Sequence, residues 1–334
     1  MSRLAGLLAA LLLAGQGLLP LPLPAQEPGP EVRPLSAEAI HPLQIARGEV
    51  LSGFVLGRES LQRLEAGLED GSGAPVASGP AFPVARGGRV WAFLLPVPST
   101  LAGGEYRLRL EGEKNGAQGP KRFLYSGQLR VLARTFPSER IHFDRALSRL
   151  MTQPDPRKEL ETRELWELLA RTDAKNIWYT GAFSLPVSGA RITAGFADRR
   201  VYDLADGGSS QSLHNGVDLA AAQGTPVAAC GAGRVVLAEN RLLTGNSIVI
   251  EHLPGVYSLY YHLSQIAVAE GQWVRGGQRI GAVGMTGLAT GPHLHWELRV
   301  GAQPVDPLAF IGRPLVDKAL IFSMIKENAL DERR

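Results

Sequence analysis

The sequence predicts a mainly β protein of two domains joined by a helical segment, on three observations. The chain has 334 residues, more than one core of ordinary size organises. Glycine is frequent, at 39 residues, and falls in clusters at short intervals, which marks tight turns rather than long helices. Between the clusters lie short runs of apolar and β-branched residues, and a single internal stretch has the composition of a sustained helix.

Arg3 is followed by an almost unbroken apolar run from Leu4 to Leu19, then Pro20, Pro22, Pro24 and the small Ala25. This is the pattern of an export signal covering residues 1–25 and cut near Ala25. The prolines interrupt the run before it makes a membrane span of about 20 residues. Residues 26–34, rich in Pro and Glu, read as a linker. Residues 35–133 predict an antiparallel β sandwich. Candidate strands at 49–56, 89–95, 105–111 and 126–132 are separated by turn clusters such as Asp70-Gly-Ser-Gly and Ala102-Gly-Gly.

Residues 136–175 predict a helical linker that packs on one of the two β domains. Its centre, Glu159-Leu-Glu-Thr-Arg-Glu-Leu-Trp-Glu-Leu-Leu-Ala-Arg, has strong helix formers, with Leu160, Leu165, Leu168 and Leu169 expected on one side. Residues 183–312 return to strand and turn, with candidate strands at 247–250, 256–261 and 294–300. Residues 313–334 read as a helical tail with Leu320, Ile321, Met324 and Ile325 as its docking face.

A formal net charge of +3, with no basic helix face, argues against a nucleic-acid partner. One cysteine excludes an intramolecular disulfide, and Cys230, in an apolar run, reads as a small buried hydrophobe.

Four of the seven histidines stand in suggestive places. His293 and His295 are two apart, and on a strand such residues share a face. His214 and Asp218 are four apart. A regular strand would separate them by about 13 Å, so the chain must bend between them, and Gly216 is where it can. A catalytic zinc site takes three protein ligands from His and carboxylate and keeps a position open for water. His214, Asp218 and one of the C-terminal histidines supply that set, leaving the other and His262 for proton transfer. Each pair alone is also compatible with a surface or turn role. No His-Glu-x-x-His helix, Gly-x-Ser-x-Gly elbow or phosphate-loop lysine supports a competing chemistry. His41, His142 and His252 read as structural.

His214-Asn-Gly-Val-Asp218, Gly224-Thr-Pro-Val-Ala, Tyr261-His-Leu263, Thr286-Gly and Gly291-Pro-His-Leu-His-Trp-Glu297 together resemble the lysostaphin-type (LytM-like) zinc metallo-endopeptidases. The resemblance covers roughly residues 183–310. It implies an antiparallel β peptidase domain with zinc on His214, Asp218 and His295, and with His262 and His293 as catalytic residues. It also implies a peptidoglycan peptide as substrate, in stems or cross-bridges, and a secreted protein, periplasmic or extracellular. Some family members are non-enzymatic regulators of cell-wall amidases, but those have lost ligands, and all five positions are filled here. Two departures stand out: Phe196-Ala197 where the family often has Phe-Gly, and His252-Leu253 where it often has His-Gly. The N-terminal β domain more loosely resembles an immunoglobulin-like domain. Either it or the helical segment is expected as an intramolecular cover of the groove.

Overall fold

The computed structural model describes residues 37–57, 60–85, 87–114, 121–179 and 181–323. The expected export signal, the linker after it and the tail beyond residue 323, with Met324 and Ile325, lie outside the described residues. The protein is mainly β and divides into two compact units, one built chiefly from described residues between 37 and 134 and the other from residues 135–171 and 176–313.

The first unit contains β1 (Ala37–Ile40), β2 (Gln44–Ala46), β3 (Val50–Gly57), β4 (Arg63–Glu69), β5 (Pro75–Gly79), β6 (Ala81–Pro83), β7 (Val90–Pro96), β8 (Gly104–Lys114) and β9 (Lys121–Leu132). They form one sheet in the order β1-β3-β7-β6 and another in the order β2-β9-β8-β4-β5. Leu51, Val55, Phe93 and Leu95 of the first sheet pack with Leu64, Leu68, Leu108, Leu110 and Leu129 of the second. This is a two-sheet sandwich closed by alternating side chains. The sequence located β3, β7, β8 and β9. It missed β4, whose buried positions Leu64, Ala66 and Leu68 do alternate, because Ala66 and Gly67 weaken the apolar signal.

The second unit begins with β10 (Ser138–His142), then α1 (Arg145–Thr152) and α2 (Pro156–Leu169). Asp144 and Asp155 cap the two helices, and Pro156 sits in the first turn of α2, where its missing N–H costs nothing. Then follow β11 (Arg191–Ala194), β12 (Arg199–Asp203), β13 (Ser209–Leu213), β14 (Val217–Ala220), β15 (Pro226–Ala228), β16 (Gly233–Arg241), β17 (Gly245–Leu253), β18 (Val256–Leu263), β19 (Gln265–Ile266), β20 (Trp273–Val274), β21 (Arg279–Ala282), β22 (His293–Val300) and β23 (Gln303–Val305). The main sheet has the order β11-β14-β22-β18-β17-β16-β20, with β23 on β22. The unit also contains two small sheets, with the orders β10-β12-β13 and β15-β21-β19.

In β17 and β18 nearly every residue is buried, because both sheet faces are covered. On β22, Leu294, Trp296 and Leu298 alternate with His293, His295, Glu297 and Arg299, so one face is apolar and the other carries the polar chemistry. Leu165, Leu168 and Leu169 of α2 pack on Leu237, Val249, Tyr257, Leu259 and Tyr261, and Tyr261 lies opposite His295. The helix therefore covers part of the polar face. It is fastened there by Glu161, whose Oε2 accepts from the Leu242 N–H at 2.9 Å, and by Arg157, which donates to the Asn240 carbonyl at 2.7 Å. Leu160, expected on the same helix face, is 44% exposed. Five positions from Leu165 is roughly 140° around a helix, which turns it to solvent.

Ala197 occupies the left-handed region at φ 61°. There its Cβ crowds the following carbonyl, at roughly 1–2 kcal/mol. The turn holds the backbone of His214: the Ala197 N–H donates to the His214 carbonyl at 2.7 Å, and the His214 N–H donates to the Asp198 carbonyl at 2.9 Å. Ala197→Gly removes this strain but adds about 0.5–1 kcal/mol of backbone entropy cost. The net expectation is a small stabilisation, raising the melting temperature by about 2 °C. Calorimetry showing a lower melting temperature for this variant would contradict it.

Candidate metal centre

Three strands and one turn bring the predicted residues together. Asp218 on β14 pairs in register with His295 on β22, and His295 pairs with Tyr261 on β18. His214 follows β13. The chain then bends at Gly216, where a Cβ would lie 2.2 Å from the Trp296 carbonyl oxygen. Glycine is thus required by close backbone approach. His262 follows Tyr261 with φ 62°, a left-handed conformation held by its N–H to the Thr244 carbonyl at 2.9 Å. Non-glycine residues in this region store strain, and they concentrate at functional sites.

His214 Nε2, Asp218 Oδ1 and His295 Nδ1 form a triangle with sides of 3.0, 2.9 and 2.9 Å. His293 Nε2 is 3.7 Å from the same Asp218 oxygen. The rings of His262 and His293 are 4.9 Å apart, and those of His262 and His295 6.1 Å. All five residues predicted from the sequence therefore converge. A cavity of about 410 Å³ opens over them and is also lined by Thr162, Leu165 and Trp166 of α2.

Each imidazole spends its outward nitrogen on a fixed acceptor. His214 Nδ1–H donates to the Gly195 carbonyl at 2.7 Å, His262 Nδ1–H to Thr286 at 2.8 Å and His293 Nδ1–H to Gly291 at 2.8 Å. His295 Nε2–H donates to Glu297 Oε1 at 3.0 Å. Since carbonyls and carboxylates only accept, the inward nitrogens carry lone pairs. In the triangle, three electron-rich atoms meet with no donor of their own. Only a shared proton or a cation can hold them so close, and atoms binding one tetrahedral ion at about 2.0–2.1 Å lie at comparable separations. The donor set therefore fits a divalent ion, with Gly195 and Glu297 fixing the ligating rings from behind.

The electrostatics agree. Burial would raise the Asp218 carboxyl, but His214 and His295 hold it well below the usual range. Burial works to lower His295, yet its hydrogen bonds to Asp218 and Glu297 outweigh it and raise the ring to about 9. In the metal-free protein a proton thus stands where an ion would. Burial pushes His262 down to about 3, helped by the neighbouring His293 and His295, and burial also lowers His293. Both remain neutral near pH 7. Tyr261 stacks on His295 at 5.6 Å with the planes 6° apart.

Sequence reasoning missed three side chains around this cluster: Glu297, which accepts from His295, Arg200, which is paired with Asp218, and Glu139, which is paired with Arg200. Glu297 was legible, since it follows His295 by two on the same strand face. Burial opposes its charge, but Arg299 and His295 hold its carboxyl down to about 2. Arg200 and Glu139 carry no sequence signal. The other histidines lie apart from the cluster. His252 is buried against the Ala232 carbonyl and Ser258, and burial lowers it to about 4. Cys230 is fully buried, and burial raises its thiol to about 11. His142 lies 3.0 Å from Asp203, and His41 lies 3.0 Å from the Tyr125 hydroxyl.

Two imidazoles and a carboxylate meet around one point, with two more imidazoles beside it and an open cavity above, which leaves a coordination position accessible, unlike a closed four-ligand structural clip. Residues 212–307 match the family model of Peptidase family M23, and the second unit thus carries an M23 peptidase domain. The DD-carboxypeptidase/endopeptidase Mpg of Neisseria meningitidis serogroup B (strain MC58) is 43% identical over 138 residues, covering 41% of this chain and 31% of that protein. The peptidoglycan DD-endopeptidase ShyA of Vibrio cholerae is 44% identical over 118 residues, covering 35% of this chain and 27% of that protein. The matches thus span about a third of these relatives. A Pseudomonas aeruginosa structure assigned to peptidase M23 has TM-score 0.52 at 24% identity, over 80% of this chain and 94% of that one, a likeness of fold.

Metal uptake should displace the proton held between His295 and Asp218. Because His295 titrates at about 9 without metal, the cluster is protonated at pH 7 and deprotonated above 9. Binding of one divalent ion at pH 7 should therefore release about one proton, falling toward none above pH 9. Calorimetry in buffers of different ionisation enthalpy measures this, and proton release independent of pH would refute it.

Proposed function

We propose that the chain is a secreted zinc metallo-endopeptidase that hydrolyses peptide bonds in peptidoglycan stems or cross-bridges. The observation that carries this reading is the convergence of His214, Asp218 and His295 into one donor set beside His262 and His293. The relatives acting as peptidoglycan DD-endopeptidases support the substrate class. The expected signal at residues 1–25 supports export, and no helix among the described residues is long and apolar enough to cross a membrane.

His214, Asp218 and His295 would hold the zinc ion. When bound, zinc lowers the pKa of a water and polarises the scissile carbonyl. The remaining work falls to the chain's own residues. His293 and His262 are neutral, and their Nδ1 protons are committed to the Gly291 and Thr286 carbonyls. Each Nε2 is thus free to accept a proton from the attacking water. Once charged, the ring steadies the oxyanion and returns the proton to the departing amine nitrogen. Burial opposes the charged form of both rings, and the Asp218 carboxylate favours it in both.

Helix α2 enters this reading as a groove wall rather than a removable cover. Its buried Leu168 and Leu169 belong to the core against the sheet, so displacing it would expose that core to water, at roughly 1.5–3 kcal/mol per leucine.

His295→Ala should lose both stoichiometric zinc and peptidoglycan cleavage. His262→Ala should keep zinc and lose about 10²–10⁴ in turnover. Metal analysis beside muropeptide mass spectrometry reads both. Full turnover in the His262 variant would sink its catalytic assignment. A zinc-loaded wild type that never converts cross-linked dimers to monomers would favour a regulator of a cell-wall amidase.

A further inference from the structure

Asp218 has two carboxylate oxygens with different partners. Oδ1 faces His214 and His295, whereas Oδ2 accepts from Arg200 Nη2 at 2.5 Å. Arg200 in turn donates from Nε to Glu139 Oε1 at 2.5 Å. The Arg200 side chain is only 12% exposed, so its charge is stabilised by these two carboxylates rather than by water. The guanidinium suits the task, because its planar fork serves two acceptors at fixed angles.

The backbone explains why the three groups meet. β10 runs parallel to β12 with Glu139 in register with Arg200. β12 runs antiparallel to β13, with Arg199 opposite Leu213, and His214 follows directly. One small sheet thus delivers Glu139, Arg200 and the start of the His214–Asp218 turn. Both Glu139 and Arg200 precede residues 212–307, the segment matched to the peptidase family. The centre therefore draws support from a strand of the stretch predicted as a helical linker.

We propose that Glu139 and Arg200 are positioning residues for the metal. Arg200 fixes the carboxylate plane of Asp218 so that Oδ1 points at the shared centre, and Glu139 fixes Arg200. Without the guanidinium, Oδ2 is left without its cation, and the carboxylate is free to turn away. Loss of such outer partners typically weakens metal binding by about 10–100-fold. The inference rests on the metal-binding part of the proposed function and not on the substrate.

The test is zinc affinity of the full chain, measured by competition with a chromophoric chelator, alongside the melting temperature of the metal-free protein. Arg200→Met should weaken zinc by about 10–100-fold, Arg200→Lys by less, and Glu139→Gln by several-fold. The double variant Glu139→Gln/Arg200→Met should bind zinc no more weakly than Arg200→Met alone, because Glu139 acts through Arg200. Lower melting temperatures with zinc affinity within twofold of wild type would overturn the proposal and leave a purely structural ion pair. Should Arg200→Met fail to fold, Arg200→Lys and Glu139→Gln decide it by the same criterion. Zinc affinities that change as expected in a protein without peptidoglycan cleavage would count against the proposed activity alone.

Discussion

The site depends on one constraint: four imidazoles must each present a lone pair to the same small volume. Histidine has two nitrogens, and which one faces inward is decided by what holds the other. Here three backbone carbonyls and one carboxylate take the outward protons. None of these acceptors can give a proton back, so the inward nitrogens are committed. The Asp218 carboxylate is added to them by strand register, opposite His295. The resulting triangle of acceptors is unfavourable by itself, and a cation or a trapped proton relieves it.

The main sheet makes this constraint affordable by separating two environments. Its apolar face buries Leu294, Trp296 and Leu298, while the opposite face carries His293, His295, Glu297 and Arg299 one residue away. α2 covers part of that second face with leucines and leaves the region over the histidines open. Burial of the surrounding groups raises the strength of every charge interaction inside, which is why His295 and Glu297 depart so far from their ordinary titration ranges.

The five central residues were legible because the backbone forms that present them leave marks in the sequence. An i, i+2 pair on a strand shares a face by pleat geometry, and Gly216 announces the bend that lets His214 and Asp218 meet. The strands β17, β18 and β22 were legible as apolar runs. β4 was obscured by Ala66 and Gly67, and Leu160 was misplaced because its distance from Leu165 does not fit a helix face. The Phe196-Ala197 departure was visible, but its consequence, a left-handed alanine behind His214, was not.

By itself the sequence determined the class of fold, the family-like motif order and the identity of the inward-facing groups, since these follow from residue type and short spacing. Only the tertiary structure decided what stands behind them. Glu139 lies 61 positions from Arg200, and Arg200 lies 18 from Asp218, separations across which no local periodicity operates. Their meeting is set by parallel pairing of β10 with β12, a register that depends on the whole unit being folded. The carbonyls that select each tautomer belong to any residue type, so no side-chain pattern could have named them.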